Sequence, residues 1–317
     1  MAIDESQQSG KAIFLMGPTA SGKTDLAVEI YQRLPVELIS VDSALVYKGM
    51  DIGTAKPDEH VLKIAPHHLI DIKFPTESYS AAQFRSDALN LMTDITNRGK
   101  IPLLVGGTML YFNALQNGLS KLPEANPSIR ERLDVEAKNI GWPAMHAKLS
   151  NIDPETASRL EPADSQRIQR ALEIYEISGK TMTQLHKESA TESLPFELLK
   201  FSLVPFERSI LHERIAKRFD LMLERGFLDE VRQLLDSYPE LSSEMPSMRC
   251  VGYRQALQYI SGECDFSELK SKGIAATRQL AKRQLTWLRG MRDTVELNCL
   301  DSNISNVVYN YIIQYIG

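Results

Sequence analysis

Cysteine is scarce in this sequence, which has three among 317 residues: Cys250, Cys264 and Cys299. Their number is odd and their spacing is not that of a metal-ligand set. This argues against a disulfide framework and a zinc site, and it favours a reducing compartment. No apolar run approaches the roughly 18 residues that a membrane span needs. The first ten residues carry Asp4 and Glu5 and no apolar segment, so we expect no secretory signal and a cytoplasmic protein.

Negative charge slightly outweighs positive charge, which excludes a chain that is basic throughout. The sequence has 36 Lys and Arg against 41 Asp and Glu, a net charge of −5, so no global attraction to nucleic acid is expected. A local basic stretch is nevertheless present, because residues 270–292 contain seven Lys or Arg and no Asp or Glu. A solvated helix normally mixes both signs. The stretch therefore predicts contact with the phosphate groups of an RNA backbone or of a diphosphate.

The strongest motif is a glycine-rich loop that follows a short apolar run at residues 12–16. It fits the pattern G-x-x-x-x-G-K-[ST] and consists of Gly17, Pro18, Thr19, Ala20, Ser21, Gly22, Lys23 and Thr24. The glycines let backbone N–H groups surround an anion, the lysine supplies a point charge, and the final threonine hydroxyl is placed to hold Mg²⁺. We therefore expect this phosphate loop to bind phosphate groups.

The loop alone does not identify the phosphate compound. Asp42 follows the second apolar run, residues 36–41, and could serve the metal ion of a kinase or nucleotidase. The third run, residues 101–105, leads into Gly106-Gly107-Thr108 without an acidic residue. Hydrolysis of a nucleoside triphosphate therefore stays open at this point.

Apolar runs alternate with helical patterns over most of the chain. Strands are predicted at residues 12–16, 36–41, 101–105 and 201–204, and helical patterns at residues 26–34, 80–98, 207–237 and 266–291. This alternation predicts an α/β fold, a P-loop parallel-sheet core with helices on both faces. Residues 121–190 lack a strong strand pattern. We therefore predict a flexible N-terminus (1–10), a catalytic core with C-terminal helices (11–120 and 197–317) and an inserted all-helical domain (121–196).

Five segments resemble the tRNA dimethylallyltransferases, which are also called tRNA isopentenyltransferases. They are GPTASGKT (17–24), LISVDSALVYKGMDIGTAKP (38–57), LLVGGTMLY (103–111), RCVGYRQ (249–255) and TRQLAKRQLTWLR (277–289). Many families share the phosphate loop, whereas the second and fifth segments are far more specific. Ala44 and Leu45 stand where many members have Met and Gln, which is the pattern of one bacterial branch.

The resemblance implies a reaction and its partners. A dimethylallyl group would pass from dimethylallyl diphosphate to the exocyclic N6 amine of the adenosine 3′ of the anticodon, in tRNAs that read codons starting with U. Mg²⁺ would be the cofactor, and the helical insertion would hold the anticodon stem. The implied protein is a monomer without an obligate protein partner or a membrane.

The resemblance also implies roles in the reaction itself. Asp42 would accept a proton from the amine or orient it, and Lys23 together with Mg²⁺ on Thr24 would neutralise the leaving diphosphate. Arg218 is similar to a family arginine associated with the prenyl diphosphate, and the alternative is an ion pair with Glu224 or Asp220. The expected diphosphate site is therefore the phosphate loop with Arg218.

The remaining implied residues contact tRNA. They are Asp42, Ser43, Ala44, Leu45, Thr108, Arg130, Gln166, Arg167, Ile168, Gln169, Arg170, Ser247, Met248, Arg249, Cys250, Val251, Gly252, Arg278 and Lys282. Thr108 could instead cap the next helix, and the arginines could be solvated charges of helix surfaces. We expect Trp287 to pack in the core, and His67 and His68 to be structural.

Two other functions stay open on the residues alone. A prenyltransferase acting on free AMP, ADP or ATP would share the phosphate loop and Asp42 but would not need the helical insertion. A P-loop kinase or NTPase would turn over a nucleotide without using a prenyl diphosphate.

Overall fold

A computed structural model describes residues 10–120, 122–188 and 194–317 of the chain. The predicted flexible N-terminus lies outside these ranges, except for Gly10, which begins the first strand. No helix in the described ranges is long and apolar enough to cross a membrane.

One parallel sheet forms the centre of the larger of two compact units, which comprises described residues 10–116 and 194–317. Its six strands run in the spatial order β3-β2-β4-β1-β5-β6. They are β1 (Gly10–Met16), β2 (Val36–Val41), β3 (His67–His68), β4 (Ile101–Gly106), β5 (Phe196–Val204) and β6 (Val295–Asn298). The predicted α/β class with a parallel sheet is confirmed.

Strand β1 is apolar and buried from Ala12 to Met16 because side chains pack against both of its faces. It lies between β4 and β5, and Ile13 pairs with Leu103 on one side and Leu199 on the other. Phe14 belongs to the hydrophobic cluster on one face of the sheet and Leu15 to the cluster on the other. A strand buried on both faces cannot alternate polar and apolar residues, which explains the continuous apolar run.

The carboxyl ends of three neighbouring strands are in register. Met16 at the end of β1 pairs with Gly106 at the end of β4, and Val41 at the end of β2 pairs with the same glycine. The segments that follow these strands therefore begin side by side at one edge of the sheet. Ligands of open α/β sheets bind outside this edge.

Nine helices of the described chain begin within the larger unit. They are α1 (Lys23–Arg33), α2 (Glu59–Ile64), α3 (Ala81–Asn97), α4 (Met109–Asn117), α10 (Arg208–Glu224), α11 (Phe227–Ser237), α12 (Tyr253–Ile260), α13 (Phe266–Gly290) and α14 (Ile304–Ile316). The pattern at residues 207–237 is two helices. Gly226 between them has a φ of +92°, which a residue with a side chain rarely adopts.

Sequence patterns missed the elements at the end of the chain. Strand β6 has four residues and alternates in burial only weakly, so it gives little signal. Helix α14 is rich in β-branched and aromatic residues, which favour strands over helices. Both elements cover the core beside β5, where β6 pairs with residues 201–204.

The smaller unit, residues 117–193, is a compact body of helices in its described part. They are α5 (Pro127–Ile140), α6 (Trp142–Ile152), α7 (Pro154–Ala157), α8 (Ser165–Ser178) and α9 (Met182–Glu188). Leu133, Met145, Leu149, Ile168 and Leu172 are fully buried in its core. The division from the larger unit falls at residues 117 and 193, whereas the sequence analysis placed it at residues 121 and 196.

A buried carboxylate ties two helices of the smaller unit together. Glu173 of α8 is fully buried, and it accepts hydrogen bonds from Arg130 Nε (2.9 Å), from Arg170 Nη1 (2.6 Å) and from Asn126 N (2.7 Å). Burial alone would raise the pKa of Glu173. The three donors outweigh burial, so the pKa lies below its ordinary value.

We expect Glu173→Gln to lower the free energy of unfolding by about 2 kcal/mol at pH 7, because two arginines lose a charged acceptor. The loss is measured by chemical denaturation followed by circular dichroism. A lowered pKa contributes stability that is present above the ordinary Glu pKa and is lost as pH falls through the folded-state pKa. The difference in free energy of unfolding between the wild-type protein and Glu173→Gln therefore decreases as the pH falls. Glu176→Gln, which breaks the more exposed pair with Arg132, is the control; an equal loss there would contradict the assignment.

Candidate active site

A cavity of about 570 Å³ lies at the carboxyl edge of the sheet, where strands β1, β2 and β4 end. The phosphate loop, the segment after Asp42 and the Gly106-Gly107 turn line it. Helices α10 and α13 and the segment before α12 contribute the other walls. The predicted diphosphate site and part of the predicted tRNA site therefore share one cavity.

Backbone conformation fixes the phosphate loop. A Cβ atom at Gly17 would lie 2.7 Å from Ser21 Oγ, so a larger residue does not fit there. Gly22 has a φ of +80° and immediately precedes α1. Lys23 and Thr24 are thus the first residues of that helix, where free N–H groups and the helix dipole favour an anion.

Two cationic side chains meet at this loop. Lys23 Nζ donates to the Pro18 carbonyl oxygen at 3.1 Å, and the Arg218 guanidinium of α10 donates to the hydroxyl of Thr19. Arg218 therefore lies against the phosphate loop. The alternative carboxylate partner Asp220 accepts instead from Lys270 Nζ at 2.8 Å.

Burial lowers the pKa of both cationic groups. It lowers the pKa of Lys23 to about 8, against the opposing effect of Asp42 and with a further lowering by Arg218. It also lowers the pKa of Arg218, again opposed by Asp42. Two desolvated cations beside a single carboxylate leave an excess of positive charge, which the predicted diphosphate would neutralise.

Asp42 directly follows β2 and is held by the backbone beyond it. Its Oδ1 accepts from Ala44 N at 2.9 Å and from Leu45 N at 3.4 Å. Ser43 N donates to Thr108 Oγ1 at 3.0 Å, so the threonine side chain joins two neighbouring strand ends. The carboxylate is thereby directed into the cavity by the loop that carries it.

Gln284 of α13 was missed by the sequence analysis. It is only 8% exposed, its Oε1 accepts from Thr19 N at 2.9 Å, and its Nε2 donates to the Gly107 carbonyl oxygen at 2.8 Å. The sequence does contain a signal for this role, because Gln284 is a polar residue on the helix face that carries the buried Ala281 and Leu288.

Glu230 of α11 was also missed, and nothing in the sequence pattern separates it from a solvated carboxylate. Its Oε2 accepts from Asp51 N (2.9 Å) and Ile52 N (2.6 Å), and its Oε1 accepts from Gly53 N (3.1 Å) and Tyr253 Oη (2.6 Å). The carboxylate therefore fixes the loop after residue 50, part of which lines the cavity.

The predicted contacts at residues 247–252 divide into two groups. Ser247 and Met248 are fully buried, and Ser247 Oγ donates to the Pro75 carbonyl oxygen at 2.5 Å, so the prediction of direct tRNA contact is wrong for these two. Arg249, Cys250, Val251 and Gly252 line the cavity. Burial and the nearby Asp42 raise the pKa of the Cys250 thiol to about 12, so this group is not a thiolate nucleophile at neutral pH.

Helix α13 carries the predicted tRNA contacts Arg278 and Lys282 on its exposed surface and lines the cavity with other residues. Arg278 and Lys282 are exposed and do not line it. Arg283 and Trp287 do. Trp287 is 45% exposed, so the expectation that it packs in the core is wrong. The sequence shows that the helix is basic, but it does not show which of its residues face the cavity.

The predicted contacts of the smaller unit also divide. Ile168 is fully buried in the core, so its predicted tRNA contact is wrong. Gln169 Nε2 donates to Asp134 Oδ1 at 2.7 Å, and Arg130 and Arg170 are paired with Glu173. Gln166, Arg167 and Arg170 line a second cavity of about 430 Å³ within this unit. The others that line it include Arg159 and His186.

The two adjacent histidines have separate environments. His67 Nδ1 bonds the Ala65 carbonyl oxygen at 2.7 Å, its pKa is lowered by burial, and the residue lines the main cavity. His68 Nε2 lies 3.1 Å from Glu37 Oε2. His68 thus has the expected structural environment, whereas His67 also faces the cavity.

A parallel sheet with a phosphate loop after its central strand is typical of α/β proteins of the P-loop class. A family model described as IPP transferase matches residues 45–291, which is more than half of the chain. The chain belongs to the IPP transferase family.

Curated relatives and solved structures agree with this membership. The chain is 65% identical to a tRNA dimethylallyltransferase of Methylobacillus flagellatus, over 92% of this chain and 93% of the relative. It is 52% identical to one of Nitrosomonas europaea, over 96% of each. A tRNA isopentenylpyrophosphate transferase structure from Bacillus halodurans has a TM-score of 0.69 at 36% identity, covering 96% of each chain. A eukaryotic dimethylallyltransferase structure, described as acting on tRNA, has a TM-score of 0.76 at 28% identity, covering 96% of this chain and 78% of the other.

The pKa of Lys23 predicts how anion binding depends on pH. Below about 8 the ammonium is charged, so we expect the affinity for pyrophosphate to weaken as pH rises through that value. Pyrophosphate itself titrates, and the comparison is therefore with Lys23→Arg, which stays charged. Isothermal titration calorimetry from pH 6.5 to 9.5 gives the ratio of the two affinities. A ratio that does not change with pH would contradict the lowered pKa.

We expect Glu230→Gln to lower the free energy of unfolding by about 1–3 kcal/mol, because the amide nitrogen would face backbone N–H groups that need an acceptor. Thermal and urea denaturation measure the loss. Asp229→Asn changes a neighbouring exposed carboxylate on the same helix, which pairs with Arg232, and serves as the control. Equal stability of the two variants would refute the role of Glu230.

Proposed function

We propose that this protein transfers a dimethylallyl group from dimethylallyl diphosphate to N6 of the adenosine 3′ of the anticodon, in tRNAs that read codons starting with U. The products are N6-isopentenyladenosine and diphosphate. The observation that carries the proposal is that residues of the phosphate loop, among them Lys23, line a single cavity together with Arg218 and Asp42. The names of the relatives support the same reaction.

The phosphate loop suits a diphosphate that leaves during the reaction. Lys23 and Arg218 lie beside the N-terminus of α1, and all three stabilise negative charge that grows on a leaving oxygen. The reaction breaks the bond between that oxygen and the first carbon of the dimethylallyl group. No nucleoside triphosphate is needed for this use of a phosphate loop.

Asp42 is placed for the other half of the reaction. The amine nitrogen of adenine forms the new bond to carbon and must lose a proton. Asp42 Oδ1 already accepts from two backbone N–H groups, which leaves Oδ2 as the atom that takes the proton or orients the amine. Ser43 and Thr108 are joined beside it, and we assign them to the base pocket with Ala44 and Leu45.

The side chains of this cavity fit a magnesium ion that is bound mainly by substrate and water. The described residues contain no group of three His, Cys, Asp or Glu that could hold a metal ion by themselves, and Mg²⁺ typically keeps several waters. Thr24 would hold the ion through its hydroxyl. Ser40 Oγ is buried, has no hydrogen-bond partner among the described residues and lines the cavity, which suits a ligand water. The ion would supply neutralisation of the diphosphate charge.

The adenine must leave its stack to reach Asp42. Bases of single-stranded loops are unstacked at lower cost than those of duplexes, and loops are where RNA sequence is read. Arg283 and Trp287 line the cavity and can contact a phosphate and a base. We propose that the base and the prenyl diphosphate enter the cavity from different sides, and that Gln166, Arg167 and the exposed Arg278 and Lys282 contact the tRNA backbone. We further propose a monomer in the cytoplasm.

The test of this function is transfer of radiolabel from dimethylallyl diphosphate to tRNA that lacks the modification, in the presence of Mg²⁺. AMP and ATP are offered in parallel as acceptors. We expect label in tRNA alone, with a rate at least 100-fold lower in Asp42→Ala. Asp42→Asn is the matched variant, because the amide keeps the shape but cannot take the proton.

Other outcomes assign the protein elsewhere. Label that enters only AMP or ATP would establish a prenyltransferase of free nucleotides. Nucleotide hydrolysis without any transfer of label would assign the protein to the P-loop kinases and NTPases. Transfer to tRNA at an unchanged rate in both Asp42 variants would retain the reaction and reject the role of this residue.

A further inference from the structure

Gln284 connects two parts of the cavity that come from distant points of the chain. One end of its side-chain amide accepts from Thr19 N in the phosphate loop, and the other end donates to the Gly107 carbonyl oxygen beside the base pocket. Both bonds are shorter than 3 Å and the side chain is almost fully buried. The two partners require one donor and one acceptor, and the amide in this orientation supplies both.

Each partner of Gln284 holds a residue assigned to one substrate. Thr19 accepts a hydrogen bond from Arg218 through its hydroxyl, at the diphosphate end. Gly107 precedes Thr108, whose hydroxyl accepts from Ser43 N at 3.0 Å, at the base end. Hydrogen bonds and the covalent links within Thr19 and between Gly107 and Thr108 thus connect the guanidinium of α10 through Gln284 to the loop after Asp42.

The turn at Gly107 is built closely around this amide. A Cβ atom at position 107 would lie 2.4 Å from Gln284 Nε2 and 3.2 Å from the Gly17 carbonyl oxygen. Any side chain there would displace the amide and press on the start of the phosphate loop. The glycine is therefore required by the contact with Gln284, in addition to the shape of the turn itself.

We propose that Gln284 is a positioning residue that sets the geometry of the diphosphate subsite and of the adenine subsite together. This inference rests on the proposed function, because it takes both subsites from it. It predicts that a change at this single position, which is assigned no contact with either substrate, weakens the binding of both. A residue that served one subsite would affect one ligand.

The test uses Gln284→Met, which keeps the shape of the side chain and removes both hydrogen bonds. The probes are inorganic pyrophosphate with Mg²⁺, measured by calorimetry, and an unmodified anticodon stem-loop RNA, measured by fluorescence anisotropy. We expect each affinity to fall roughly two- to tenfold. Gln279→Met, at an exposed position of the same helix, is the matched control and should leave both affinities unchanged.

Gln284→Glu adds a readout that a general loss of structure would not produce. Its carboxylate can accept from Thr19 N but repels the Gly107 carbonyl oxygen, whereas the protonated acid donates to that oxygen as the amide does. The affinity of this variant for the stem-loop RNA, relative to the wild-type protein, should therefore recover as pH falls. This variant also carries the test if the methionine variant does not fold.

The inference would be overturned by a loss confined to one ligand, by an equal loss in Gln279→Met, or by a Gln284→Glu affinity ratio that does not change with pH. Failure of the proposed function is a different result. In that case the wild-type protein itself transfers no dimethylallyl group to tRNA. A wild-type protein that binds both probes and transfers the group, beside a Gln284→Met variant that binds both equally well, would reject the inference alone.

Discussion

The parallel register of three strand ends is the constraint on which the rest of this structure depends. Met16 and Val41 both pair with Gly106, so the phosphate loop, Asp42 and the Gly107 turn begin at one edge of the sheet. A shift of one residue in any of these strands would turn its buried side chains to the opposite face. The pairing of these strands in the core therefore fixes where the chemical groups meet.

The side chains that line the cavity carry more positive than negative charge, and we expect an anion from outside the protein to neutralise it. Lys23 and Arg218 are both buried enough to lower their pKa values, and Asp42 offsets only part of this. In a protein of net negative charge, this local excess of positive charge is the reverse of the average. We therefore expect the cavity to have affinity for an anion, because desolvated cations gain more from a negative charge than solvated ones would.

Local patterns predicted much of the fold and the chemical core of the site, and long-range contacts account for most of what they missed. Each strand around β1 is one continuous segment of sequence, and so is the phosphate loop. Apolar runs and residue spacing were therefore sufficient to predict them. Gln284 joins residues 265 and 177 positions away, and no local pattern carries that information. The wrong contacts at Ile168, Ser247 and Met248 have one cause: family segments identify a region, but only packing determines which of its side chains are buried.

The larger unit is assembled from two pieces of chain on either side of the helical unit, and this orders its biosynthesis. Strand β1 is translated before its neighbour β5, which follows only after residues 117–193 have been made. The helical unit is one continuous stretch of chain, so it can fold before β5 is available to pair with β1. Gln284 emerges later still. The phosphate loop is thus translated 265 residues before Gln284, the hydrogen-bond partner of Thr19 N.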